Sequence, residues 1–250
     1  MDHFVLSRDG DLAVLALRRG KVNAVNHALV RSLEPVLERL RRDPDIRALV
    51  VTGTGSFFSF GFDIPEFLSF DRADFTRFLQ DFTRLYTNLF LFPKPVVAAL
   101  NGHTIAGGCM LALACDRRIM ASGGAKISLN EVTFGASVFA GAVEMLRACV
   151  GAHRAEEILL EGTMYSAEQA VALGLVDQVE GIDTVLEVAK SEARELGSRE
   201  PVAFGSIKML LREPIAAEMR QREHASIRDF VEIWYSEPTQ KRLEGIGIHD

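Results

Sequence analysis

Two glycine-bearing segments and one glutamate are the groups in this sequence best suited to chemistry. The first segment, GTGSFFSFGFDI at 53–64, follows an apolar run. Gly61 frees the backbone for a sharp turn there, so the N–H of the next residue, Phe62, can point into a cavity. The second, NGHTIAGGCM at 101–110, also follows an apolar run, and Gly107 and Gly108 lead into an apolar helix. The first N–H groups of a helix have no partner inside it and sit at the positive end of its dipole. Two such donors converging on one carbonyl oxygen stabilise the negative charge that develops on it during reaction. Singly, a glycine turn between strand and helix is ordinary topology. Neither segment matches the phosphate-cradling patterns GxxxxGK(S/T) or GxGxxG. What distinguishes the pair is its order: the asparagine-bearing KVNAVN at 21–26 precedes it, and an acid, Glu131 in ISLNEVTFG at 127–135, follows it.

Rigid elements must aim these groups. Leu12 to Leu17 is a short apolar run of strand type, and RALVVTG at 47–53 and PVVAALN at 95–101 are continuous apolar runs. Such runs are expected where helices cover both faces of a parallel sheet, and RRIMA at 117–121 is a weaker third case. A helix is expected from Asn26, a good N-cap, with Leu29, Val30, Leu33, Val36, Leu37 and Leu40 on one face; Pro35 should bend or weaken it. Further helices are expected over 65–91, 107–114 and 143–150. Another should open at Ser166, which has a capping-box spacing to Gln169, and close at Gly174. This alternation gives an α/β class. Beyond residue 195 the strand signals stop and two helices, 202–211 and 215–234, flank Pro214. The chain therefore divides into a core over 1–195 and a helical region over 196–250, too small for its own core, that packs on the main body or a neighbouring subunit.

Composition narrows the function classes. With 48% apolar and 25% charged residues, the 250-residue chain has an ordinary globular balance rather than a disordered one. The net charge of -6, with no Lys/Arg cluster to offset it, gives no support for a nucleic-acid partner. The longest apolar run, 105–115, is too short to span a bilayer. Three cysteines without a CxxC pair suit a reducing compartment, and the N-terminus lacks the basic and apolar regions of a signal peptide, so a cytoplasmic protein is expected. The six histidines show no metal spacing, and His103 reads as a structural residue in a turn.

These residues resemble the crotonase (enoyl-CoA hydratase/isomerase) superfamily. The match is carried by KVNAVN, by FSFGFDI at 58–64, by Asn101–Asp116, by ISLNEVTFG and by the stretch 162–179. The resemblance implies a spiral of ββα turns followed by a helical trimerisation region, and a homotrimer or hexamer. It implies that Phe62 and Gly107 supply the two oxyanion N–H groups to an acyl-CoA substrate, coenzyme A being part of the substrate rather than a cofactor. Ala24 would lie along the CoA, Phe60, Asp63 and Ile64 beside its adenine and pantetheine, and Lys21 near its phosphates, with a solvated loop lysine as the equal alternative. Lys208 could approach those phosphates across a subunit contact, a plain surface lysine being the simpler reading.

The family pattern also bears on the reaction. Hydratases of the superfamily hold a water between two glutamates; here Met110 occupies one of those positions and Glu131 the other. A single carboxylate suffices to carry a proton from C2 to C4 of a 3-enoyl thioester, giving the trans-2-enoyl isomer. Leu129 and Val132 beside Glu131 should raise its pKa. Phe139 stands where dienoyl-CoA isomerases and aryl-CoA dehalogenases carry an aspartate, and with Met110 it makes the acyl end apolar. Glu144 should face outward or cap its helix. Δ3,Δ2-enoyl-CoA isomerase is thus the leading expectation. A hydratase, decarboxylase or other crotonase, or a non-catalytic thioester-binding subunit, are the alternatives.

Overall fold

A computed structural model describes residues 3–246. The chain begins with a hairpin, β1 (Phe4–Asp9) and β2 (Leu12–Leu17), and α1 (His27–Arg42). Three strand pairs follow, each leading to helix: β3 (Ala48–Gly53) and β4 (Phe57–Ser59) to α2 (Ile64–Leu68) and α3 (Arg72–Phe90); β5 (Val96–Leu100) and β6 (His103–Ile105) to α4 (Gly107–Leu113); β7 (Arg117–Ala121) and β8 (Ile127–Ser128), through a 3-10 turn (Glu131–Phe134), to α5 (Ala140–Val150). Then come α6 (Ala152–Glu161), α7 (Ala167–Leu173), β9 (Gln178–Glu180), α8 (Val185–Gly197), α9 (Pro201–Trp234) and α10 (Glu237–Leu243). The first strand of each pair enters a six-stranded sheet, β1-β2-β3-β5-β7-β9, parallel except for the hairpin; the second enters a parallel sheet, β4-β6-β8. This is the expected spiral of ββα turns.

The apolar runs are buried on both faces, as their patterning requires. Leu49, Val51, Val96, Ala98 and Leu100 join the main core with the helices, while Ala48, Val50, Val97 and Ala99 pack on the opposite face against Val185, Ala189 and Ala193 of α8. Asn26 caps α1 by accepting from the Leu29 N–H, and Ser166 and Gln169 form the capping box of α7.

Two helical expectations need correction. The segment 65–91 is two helices, because Asp71 accepts the Asp74 N–H and starts α3 afresh after Ser69 closes α2. The two helices expected on either side of Pro214 are one, α9, of 34 residues. A proline in a helix frees the carbonyl four residues before it. Here that residue is Leu210, on the exposed side, while side chains anchor α9 to the body both before and after the proline. The C-terminal region adds to the main core through Met219, Ile227, Phe230 and Trp234.

Candidate active site

The two glycine segments meet backbone to backbone. Residues 22–25 zip onto 60–63 through Phe60 N–H to Val22 O (2.9 Å), Val25 N–H to Gly61 O (2.6 Å) and Asp63 N–H to Val25 O (3.0 Å). In this parallel bridge of Val25 with Phe62, the residues flanking Phe62 make the bonds, so the N–H of Phe62 itself points the other way. Gly61 has φ +95°, and a Cβ there would lie 2.9 Å from Ile105 O and 3.0 Å from Gly107 N. A Cβ at Gly108 would lie 2.5 Å from Ser59 O. Side chains are thus excluded where the segment carrying Phe62 meets the start of α4. Gly107 opens α4, outside its hydrogen-bond ladder, and Ala106 before it holds φ +49°, a conformation costly for a residue with a Cβ.

Glu131 enters from the turn after β8. The turn closes at Gly135, which has φ +82°, and Thr239 Oγ1 of α10 donates to Gly135 O at 2.7 Å. The side chain is 4% exposed, and burial pushes the carboxyl up to about 8. The neighbours expected to cause this are only half responsible: Leu129 is buried, but Val132 points outward at 44% exposure. The cause is desolvation of the carboxyl by its burial in the fold.

That cavity, of about 280 Å³, brings together Phe60, Phe62, Ile64, Gly107, Met110, Glu131 and Phe139. Phe230 and Trp234 of α9, with Ile246 beyond α10, close another part of its wall. All three belong to the region 196–250, for which the sequence predicts packing alone; the signal for a role here is the aromatic pair at i and i+4 that includes the single tryptophan. Phe139 packs on Phe230 with ring centroids 4.6 Å apart and on Phe62 at 6.2 Å. Among the described residues, the buried side-chain polar atoms without a partner are Asn130 Oδ1, Glu131 Oε2 and Trp234 Nε1, and all three residues line this cavity.

Lys21, Ala24 and Asp63 do not line it. Lys21 is exposed; Ala24 is buried, its carbonyl accepting from Arg19 Nη1 at 3.2 Å; Asp63 caps α2 and pairs with Arg19 at 2.5 Å. Lys208 is no surface lysine: it is 5% exposed, pairs with Asp116 at 2.6 Å and donates to Lys94 O. Glu144 pairs with Arg147 and Arg222. His103 starts β6, and its Nδ1 accepts the Lys126 N–H, a backbone role as expected.

The profile of the enoyl-CoA hydratase/isomerase family matches residues 8–247. The chain is 36% identical over 216 residues to 2,3-dehydroadipyl-CoA hydratase of Escherichia coli, covering 85% of this chain and 83% of that protein. It is 33% identical over 245 residues to the mitochondrial enoyl-CoA hydratase domain-containing protein 2 of Bos taurus, covering 95% and 81%. Among solved structures, human mitochondrial delta3-delta2-enoyl-CoA isomerase superposes with a TM-score of 0.92 at 26% identity, over 98% of this chain and 96% of that one.

Proposed function

The chain belongs to the enoyl-CoA hydratase/isomerase family, and we propose that within it the protein shifts the double bond of a 3-enoyl-CoA to give the trans-2-enoyl-CoA. The carrying observation is that Glu131 is, among the described residues, the ionisable side chain in the cavity wall, with Met110 and Phe139 beside it rather than a second acid. In this reading the thioester oxygen sits against the N–H groups of Phe62 and Gly107. Glu131 takes a proton from C2, and the electron pair of that C–H bond delocalises over the oxygen and C4 as a dienolate. Glu131 then returns the proton to C4, leaving the double bond between C2 and C3 with no net gain or loss of atoms. A carboxyl near 8 is close in basicity to physiological pH, which favours a group that must both take and give a proton.

The same reading lays the CoA along the zipped segments 21–25 and 60–64, with Lys21 at the phosphates, Ala24 beneath it, and Phe60, Asp63 and Ile64 alongside. Coenzyme A arrives with the substrate. The exposed apolar residues Val202, Ile207, Leu210 and Leu211 of α9 support assembly into a homotrimer or hexamer. No helix among the described residues is long and apolar enough to cross a membrane.

Hydration is the second reading, favoured by the 36% identity to the Escherichia coli hydratase. One paired assay separates the two. The protein is incubated with 3-hexenoyl-CoA, following 2-hexenoyl-CoA, and with crotonyl-CoA, following 3-hydroxybutyryl-CoA. We expect isomerisation, and a loss of about 10²–10⁴ in kcat for Glu131→Gln. Glu131-dependent hydration without isomerisation would favour the hydratase, and full turnover in the variant would end the single-base proposal.

A further inference from the structure

Trp234 is the tryptophan of a chain that has one, and it is 1% exposed. A buried indole N–H ordinarily finds an acceptor, because leaving it unmade forfeits its bond to water. This one has none among the described residues, although the ring lines the cavity. The ring packs against Phe75, with centroids 4.7 Å apart, and stacks on Phe230 at 5.9 Å. A phenylalanine would fill an aromatic wall without that cost.

We propose that Trp234 is a specificity determinant, its indole N–H donating to a neutral oxygen that the acyl group carries beyond its reacting carbons. The inference rests on the acyl-CoA reading of this cavity. Neutrality follows from the lining, where the described residues include no lysine, arginine or histidine and one acid, Glu131. A carboxylate on the acyl tail would be desolvated there without a cation and beside an acidic side chain, so a ketone, hydroxyl or ether oxygen fits and a free acid does not. A site built to bond an oxygen discriminates against the analogue lacking it, since the donor is then left unpaired.

The test is calorimetric titration of the full chain with saturated thioesters: hexanoyl-CoA, its 4-oxo, 5-oxo and 6-hydroxy counterparts, and adipoyl-CoA. For the wild type, at least one neutral oxygenated thioester should bind about tenfold tighter than hexanoyl-CoA, and adipoyl-CoA more weakly than hexanoyl-CoA. In Trp234→Phe the ratio of oxygenated to plain thioester should collapse to about one, whatever the absolute affinities become. Equal wild-type affinity for plain and oxygenated chains, as when water satisfies the N–H, would overturn the proposal. So would a preference that survives in Trp234→Phe, or tight binding of adipoyl-CoA. Failure of every thioester to bind would overturn the acyl-CoA reading itself, a result distinct from equal binding.

Discussion

Glu131 shows how one burial serves chemistry at the expense of stability. Its carboxyl moves from 4.5 to about 8 because burial desolvates the charged form. As a base it works ionised, so kcat/KM for isomerisation should rise with pH through an apparent pKa near 8, and a profile flat from pH 6 to 9 would exclude it as the base. The linkage to folding runs the opposite way. Between 4.5 and 8 the folded chain holds a proton that the unfolded chain has lost. The stabilising contribution is therefore complete below about 4.5 and is lost as pH rises through 8. Glu131→Gln removes this loss, so the variant's Tm should gain on the wild type progressively from pH 5 to pH 9. A constant difference across that range would show that the carboxyl is not perturbed in the folded protein.

At the scale of elements, α9 matters because it carries Phe230 and Trp234 to the cavity from far along the sequence. Its N-terminal half is held by a buried ion cluster. Lys208 and Arg212 both pair with Asp116, Arg212 also donates to the carbonyls of Phe90, Ala114 and Cys115, and Asp116 accepts the Val96 N–H at the start of β5. Further on, Glu223 accepts from Tyr86 Oη and from the Gly141 N–H, tying α9 to α3 and α5. Removing one partner of a buried pair leaves the other charge poorly compensated. Lys208→Met should thus cost about 3 kcal/mol, at the lower end for such losses because Arg212 remains on Asp116. Urea unfolding with unchanged m would read it, and a cost below about 1 kcal/mol would mean that the cluster does not anchor α9.

For the whole molecule, the exposed apolar side chains of α9 are the feature that one chain leaves unsatisfied. Leu210 and Leu211, 76% and 68% exposed, lie beside Val202 and Ile207 on the N-terminal half of the helix, away from the cavity-lining end. Light scattering should give three or six times the 27.6 kDa of the chain, and Leu210→Asp with Leu211→Asp should lower that mass. A wild-type mass of one chain would refute the assembly. The sheet order itself needs no partner, since β1 to β9 pair within the chain.

Much of this was legible in the residues. Apolar runs long enough to be buried on both faces announced β3 and β5, capping side chains announced α1 and α7, and the glycine segments announced a close backbone approach, since a Cβ at Gly61 or Gly108 would collide with the facing chain. These are local properties: a cap or a turn is decided by residues a few positions apart. Strands as short as β4, β6 and β8 carry no period to read, and the continuity of α9 through Pro214 depends on anchors contributed by other elements. The perturbation of Glu131 and the placing of Phe230 and Trp234 around it were decided by tertiary structure alone, because desolvation depends on everything packed around a group and not on its neighbours in sequence.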